Sequence, residues 1–139
     1  MENDKIKYTI VSAYAPTSSH LQDQIKFLTT FINLEVKYPN SLKAGDYNCP
    51  LSENDCKNFD TRNSYCKKLI TYLQNNDIID IYRVLNPDSK VFTWNNKKSK
   101  SRIDFWLCDD IFLPNISNAR IQHSVKTDHR LITIDIISD

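Results

Sequence analysis

The residues of this sequence that could do chemistry come in short, separated groups. Asp46 and Asn48 follow Gly45, the only glycine in 139 residues. Asp104 closes Ser101-Arg102-Ile103-Asp104, Asp128 and His129 follow Thr127, and Tyr14 precedes Ala15-Pro16. Each group falls where a strand-like segment meets a loop, which is where sheets usually carry their sites. Asp46 and Asn48 are two positions apart, so an extended backbone turns both side chains to one face. Gly45 has two readings. It lets the backbone take φ > 0 or approach a phosphate closely, or it is a simple turn residue beside two solvated polar side chains. A further group holds Trp94, Asn95, Asn96, Lys97, Lys98, Lys100 and Arg102. Its cations can neutralise phosphates and its amides can reach base edges. The plain alternative is a solvated, charge-rich hairpin.

The elements that must position these groups follow from periodicity. Residues 6–14 are rich in β-branched and aromatic side chains and end at Pro16, a strand running into a loop. Thr17 to Ser19 offer helix caps. Leu21, Ile25, Leu28, Ile32 and Val36 then recur at spacings of three and four, which predicts an amphipathic helix ending at Pro39. Residues 41–45 form a short buried strand, and residues 49–60 a polar surface loop. Tyr65, Leu69, Ile70 and Leu73 mark a second helix over residues 61–75. A short apolar segment turns at Asn86-Pro87-Asp88. The stretches VFTW and SRIDFWL read as two strands of a hairpin, followed by ISNARIQHSV and HRLITIDII as the last strands. The order predicts one mixed α/β (α+β) domain over residues 1–139 with one main sheet.

Composition excludes several classes. Formal net charge is +1, so the chain is neither a basic nucleic-acid tail nor an acidic solvating one, and any affinity for nucleic acid must be local. No run of apolar residues is long enough for a membrane span. The N-terminus has no secretory pattern, so an intracellular setting, nuclear or cytoplasmic, is expected. Cys49, Cys56, Cys66 and Cys108 lack metal-ligand spacing and read as free thiols.

Five motifs, VSAYAP, AGDYN, VFTW, SRIDFWL and TDHRLI, occur in an order that resembles the endonuclease/exonuclease/phosphatase superfamily. Its LINE-type retrotransposon branch, related to apurinic endonucleases and pancreatic deoxyribonuclease, is the most similar. The resemblance implies a partial four-layer α/β/β/α sandwich of the deoxyribonuclease-like type, without its N-terminal part. It implies metal-dependent phosphodiester hydrolysis that nicks DNA. Asp46 would position and deprotonate a water, and Asn48 would donate to a phosphoryl oxygen or orient the water. His129, oriented by Asp104, would stabilise the phosphate charge, with Tyr14 as a further donor. Asp46, Asn48 and Asp128 would hold Mg2+ or Mn2+. The loop from Trp94 to Arg102 would face DNA. Thr93, Ser101 and Thr127 match the pattern as hydrogen-bond support.

Each assignment has a plainer counterpart. Tyr14 could merely pack at a strand end, Asp104 could pair with Arg102, and Asp128-His129 could be loop residues; His20 and His123 have no motif around them. The family's N-terminal part carries an Asn and a metal-binding Glu. Glu2 and Asp4 match neither, so weakened metal affinity and impaired hydrolysis are expected. The sheet should also expose apolar surface for a missing segment or a second chain to cover. The rival readings are an inactive retrotransposon-derived remnant with weak nucleic-acid binding, or a phosphatase acting on a small phosphoester.

Overall fold

A computed structural model of the protein describes residues 7–59, 63–123 and 127–137; Glu2 and Asp4 lie outside them, as do residues 60–62 and 124–126 at the ends of two expected elements. The first strand, β1 (Thr9–Tyr14), is joined by helix α1 (Leu21–Lys37) to β2 (Ser41–Asp46). The two strands run parallel, in register from Thr9↔Ser41 to Tyr14↔Asp46. A helical crossover is what a parallel pair requires. Strand β6 (Asp104–Asp109) lies antiparallel to β2, with Asp46 opposite Asp104. The short β3 (Ile78–Asp80) completes the order β1-β2-β6-β3.

Helix α1 and helix α2 (Ser64–Asn75) cover one face of this sheet. Leu28, Phe31, Tyr65, Leu69 and Leu73 pack there with Phe105 and Leu107 of β6. The fully buried stripe of α1 is Gln24, Leu28, Phe31 and Glu35; of the expected line, Leu28 is buried and Ile25 and Ile32 pack part-buried against the core, while Leu21 and Val36 are exposed. Two polar contacts rotate the helix. Gln24 Nε2 donates to the Pro16 carbonyl at 2.9 Å, and Glu35 meets the buried Lys43 Nζ of β2 at 2.7 Å.

On the opposite face lies a ladder of β7 (Ile116–Gln122) and β8 (Leu131–Ile136). It covers Leu42, Cys108 and the short helix α3 (Ile81–Leu85), and Trp106 Nε1 donates to the Ile132 carbonyl at 3.2 Å. The β1 end of that face stays open: Ile10 is 58% exposed and Tyr14 76%. Among the described residues no helix is long and apolar enough to cross a membrane.

The hairpin differs from expectation. Its strands are only β4 (Trp94–Asn95) and β5 (Lys100–Ser101), and β6 belongs to the main sheet. The chain leaves the hairpin at Arg102, whose N–H is held by the Asp55 carbonyl at 2.7 Å. Thr93 Oγ1 then accepts the N–H groups of Ile103 and Asp104 at 3.0 and 3.2 Å. The expected surface loop is likewise anchored. A single 3-10 turn at Glu53–Asp55 buries Asp55 completely.

Gly45 is not a turn glycine, and it uses the positive φ that the sequence reading allowed it. It lies inside β2 at φ +144, and a Cβ there would overlap the backbone of Ala13 on β1. Gly45→Ala is therefore expected to destabilise the fold by more than the 1–3 kcal/mol or so of a strained φ alone, because two strand backbones must also separate. An unfolding free energy from urea denaturation within about 0.5 kcal/mol of the parent would contradict this, that being the ordinary range for neutral surface changes.

Candidate active site

Three carboxylates and an imidazole reach the rim of the sheet on different elements. Asp46 ends β2 and Asp104 begins β6, so the register that pairs those strands sets the two carboxylates side by side. His129 precedes β8 and is tied to the hairpin by a bridge to Trp94 and by the Arg130 N–H on the Thr93 carbonyl at 2.7 Å. Thr127 Oγ1 accepts the His129 N–H at 2.8 Å and fixes the local turn. His129 Nδ1 then lies 2.9 Å from Asp104 Oδ2, and Nε2 lies 3.8 Å from Asp46 Oδ2. In the neutral ring Nδ1–H donates to Asp104 and the Nε2 lone pair faces Asp46; in the imidazolium both nitrogens donate.

The electrostatics separate the roles. Burial pushes the Asp46 carboxyl up, as does the nearby Asp104 charge, and a hydrogen bond from the Asn48 N–H opposes them; the result is about 6 against an ordinary 3.8. For His129, burial favours the neutral ring, but the Asp104 hydrogen bond and the charges of Asp104, Asp46 and Asp128 together outweigh it and raise the pKa. A carboxylate able to take a proton thus faces an imidazole inclined to hold one.

Asn48 sits at φ +47, in the left-handed region that Asn tolerates. Its N–H donates to Asp46 Oδ1 at 2.8 Å, and one amide hydrogen is taken by the Ala15 carbonyl at 2.5 Å. The second amide N–H has no hydrogen-bond partner among the described residues. Tyr14 lies opposite Asp46 in the β1–β2 register, so both side chains leave the same face.

One expected ion ligand, Asp46, belongs to a tight cluster of possible ligand atoms. The ligand atoms of Asp46, Asp104 and His129 all lie within 4.8 Å of one another and could hold a metal ion. Asp128 lies outside that trio, and its carboxylate accepts a hydrogen bond from Trp94 Nε1 at 3.2 Å. Two carboxylates fit a hard divalent cation, which keeps several waters and takes few protein oxygens.

Beside this cluster opens a groove of about 1180 Å³, with Asn48 and Trp94 on the wall nearest to it. Lys97, Lys98 and Lys100 line it from the hairpin, and Lys57 and Lys90 join them from other loops. Sequence reasoning missed these last two, whose only signal was their charge.

Asn96 lines the groove and is exposed, whereas Arg102, also expected to face DNA, is not free to act there. Asn96 Oδ1 accepts the N–H groups of Lys98 and Ser99 at 2.8 and 2.7 Å and so closes the hairpin turn. Arg102 is fully buried. Its Nε bonds Asp55 Oδ1 at 2.7 Å, its Nη atoms fork onto the Asp80 carboxylate, and its guanidinium stacks on Tyr82 and Phe105. The alternative pairing of Arg102 with Asp104 is not formed either. Asp55 and Asp80 were not singled out in the sequence, although Ser52-x-x-Asp55 is a capping-box pattern that could have marked the turn.

No protein-family profile matches the sequence. Solved structures do. The 3' phosphatase NExo from Neisseria, bound to a product DNA hairpin, superposes with a TM-score of 0.74 at 16% identity over 93% of this chain and 61% of its own. The endonuclease domain of TRAS1, a telomere-specific non-LTR retrotransposon, gives 0.67 at 19% identity over 97% of this chain and 60% of its own. The AP endonuclease LMAP from Leishmania major gives 0.60 at 14% identity over 68% of this chain and 34% of its own. The chain has the endonuclease/exonuclease/phosphatase-like fold and spans about 60% of the length of the NExo and TRAS1 structures.

Proposed function

We propose that this chain carries the hydrolytic site of a DNA-nicking phosphodiesterase. The observation that carries the reading is the gathering of Asp46, Asp104 and His129 atoms within 4.8 Å at the edge of a lysine-lined groove. The names of similar solved structures support it, since all three act on nucleic acid or its ends.

In this reading Asp46 takes the proton of the attacking water, for which a carboxyl titrating at about 6 is suited. His129, held by Asp104, presents Nε2–H to the phosphoryl oxygens as charge builds there. Asn48 offers its second amide N–H, and Tyr14 its hydroxyl, from the β1 side. Asp46 and Asp104 would hold Mg2+ or Mn2+, with Asp128 within electrostatic reach. The ion, when bound, supplies positive charge against the developing phosphate charge. The five groove lysines neutralise backbone phosphates on either side of the broken bond, which suits a polymer better than a small phosphoester.

The test is a supercoiled plasmid and a 3'-phosphorylated hairpin, each incubated with the chain and Mg2+ or Mn2+. Relaxed circles from the parent but not from Asp46→Ala support internal nicking. Loss of the 3' phosphate alone moves the reading to end processing. No turnover of either substrate, with the fold intact, leaves the inactive remnant.

The two pKa shifts also predict a pH profile. Rate rises as Asp46 ionises near pH 6 and falls at higher pH as His129 loses its proton. Asp104→Asn removes the partner that raises His129, so the alkaline limb moves to lower pH while the acid limb, which belongs to Asp46, moves less. Initial nicking rates from about pH 5 to 9 check this, and a flat profile counts against paired acid–base roles.

A further inference from the structure

Two aromatic rings line the groove without belonging to either core. Phe92 and Trp94 are half-buried in its wall, and neither joins the cluster under α1 and α2 or the one under the β7–β8 ladder. Among the described residues neither ring stacks on another aromatic. Thr93 between them is fully buried, and its hydroxyl holds the turn into β6, so the backbone that carries both rings is fixed. The Trp94 indole is held by its edge, through Nε1 on the Asp128 carboxylate, a bond that leaves both ring faces uncovered. The surrounding walls are cationic and rigid. Five lysines line the groove, and among the described residues Glu53 is the only acid that does. Asn54 and Asn58 line it from the loop before α2. That loop is tied to the hairpin by a backbone bridge between Cys56 and Ser101 and by the Arg102 N–H on the Asp55 carbonyl.

We propose that this groove takes an unpaired stretch of DNA strand, whose bases stack on Phe92 and Trp94 while its phosphates lie along the lysines. In a duplex each base is covered on both faces by its neighbours, so two free rings can be stacked upon only by bases that have left the helix. The amides of Asn54 and Asn58 suit the same ligand, because each offers a donor and an acceptor to base edges that a paired strand would occupy. The volume of about 1180 Å³ just exceeds the roughly 300–1,000 Å³ of small-ligand pockets, which fits a few nucleotides of one strand. The proposal rests on the hydrolytic reading for the ligand being a polynucleotide, and it narrows that reading: the preferred substrate carries a single-stranded segment beside the bond to be broken.

The test measures binding by the full chain in EDTA, where no metal-dependent turnover occurs. The probes are a short fluorescein-labelled thymidine-rich strand and the duplex of the same length, at one salt concentration. The single strand is expected to bind at least about tenfold tighter, since only it offers base faces to the two rings. Phe92→Ala is expected to weaken the single strand by about 5–150-fold, the range for one lost base stack, and to leave duplex binding unchanged. Lys97→Ala weakens both, because both carry phosphates. Duplex binding as tight as single-strand binding overturns the proposal, and so does a folded Phe92→Ala protein that loses no affinity for the single strand. The first comparison needs no substitution, so a variant that fails to fold does not block the answer. A chain that prefers the single strand but nicks no plasmid keeps the groove and loses the hydrolytic reading; one that nicks plasmid and binds both probes equally does the reverse.

Discussion

Asp46→Asn is expected to abolish nicking while making the fold more stable at neutral pH. The loss follows from the role: a positioned proton acceptor contributes about 10²–10⁴-fold to a rate, and the amide cannot accept the proton. The gain follows from linkage. The Asp46 carboxyl titrates at about 6 in the fold against 3.8 ordinarily, so the fold binds its proton more tightly than the unfolded chain does. That stabilisation is complete below about pH 4 and is lost as pH rises through 6, above which the part-buried charge is a burden. Removing the charge should restore about 1–3 kcal/mol near neutrality and nothing at low pH, by the 1.36 kcal/mol that one pKa unit represents. His129→Ala is expected to lose a comparable factor in rate. Its stability effect differs in sign and place: the raised histidine stabilises the fold below its ordinary pKa and ceases to as it deprotonates, so His129→Ala destabilises on the acid side, whereas the Asp46→Asn gain shows near neutrality. Thermal melts of both variants at two pH values, beside plasmid nicking, decide the matter. An Asp46→Asn protein that is inactive and also less stable at neutral pH would mean that the site had merely misfolded.

Arg102→Ala is expected to be the most damaging single change to stability. It leaves Asp55, which is fully buried, with Arg83 alone, and leaves Asp80 without its fork. Breaking a buried pair from one side costs about 3–5 kcal/mol, because the remaining charge is uncompensated. Arg102→Lys should recover little, since one ammonium cannot reproduce a planar fork that bonds two carboxylates and stacks on two rings. Lys97→Ala, on the exposed hairpin, should leave stability within about 0.5 kcal/mol and lower DNA affinity and its salt dependence instead. Urea denaturation and binding of duplex DNA across salt concentrations separate the two classes. An Arg102→Ala protein of parental stability that binds DNA less tightly would restore Arg102 to the DNA-facing set.

Much of the frame was legible from residue order. The β1-α1-β2 unit follows from a β-branched run, a period near 3.6 and a second apolar run, all local properties of the chain. So do the strand-end positions of Tyr14, Asp46, Asp104 and His129, and the supporting role of Thr93, whose hydroxyl does hold the turn into β6. The rotation of α1 was not legible. Leu21 and Val36 satisfy the same spacing as Leu28, and only the Pro16 carbonyl and Lys43, brought close by the fold, select Gln24 and Glu35 for burial.

What the sequence alone determined is which side chains stand at strand ends, and hence which chemistry is on offer: carboxylates, an amide, an imidazole and a run of lysines. Tertiary structure decided who partners whom. The antiparallel register of β2 and β6 set Asp104 beside Asp46, the fold brought the Trp94 indole onto the Asp128 carboxylate, and Asp55 with Asp80 drew Arg102 away from solvent. The reason is range. Strand and helix signals act over a few residues, whereas an ion pair such as Asp55–Arg102 joins positions 47 apart, and its cost or gain exists only once the fold has removed water from both.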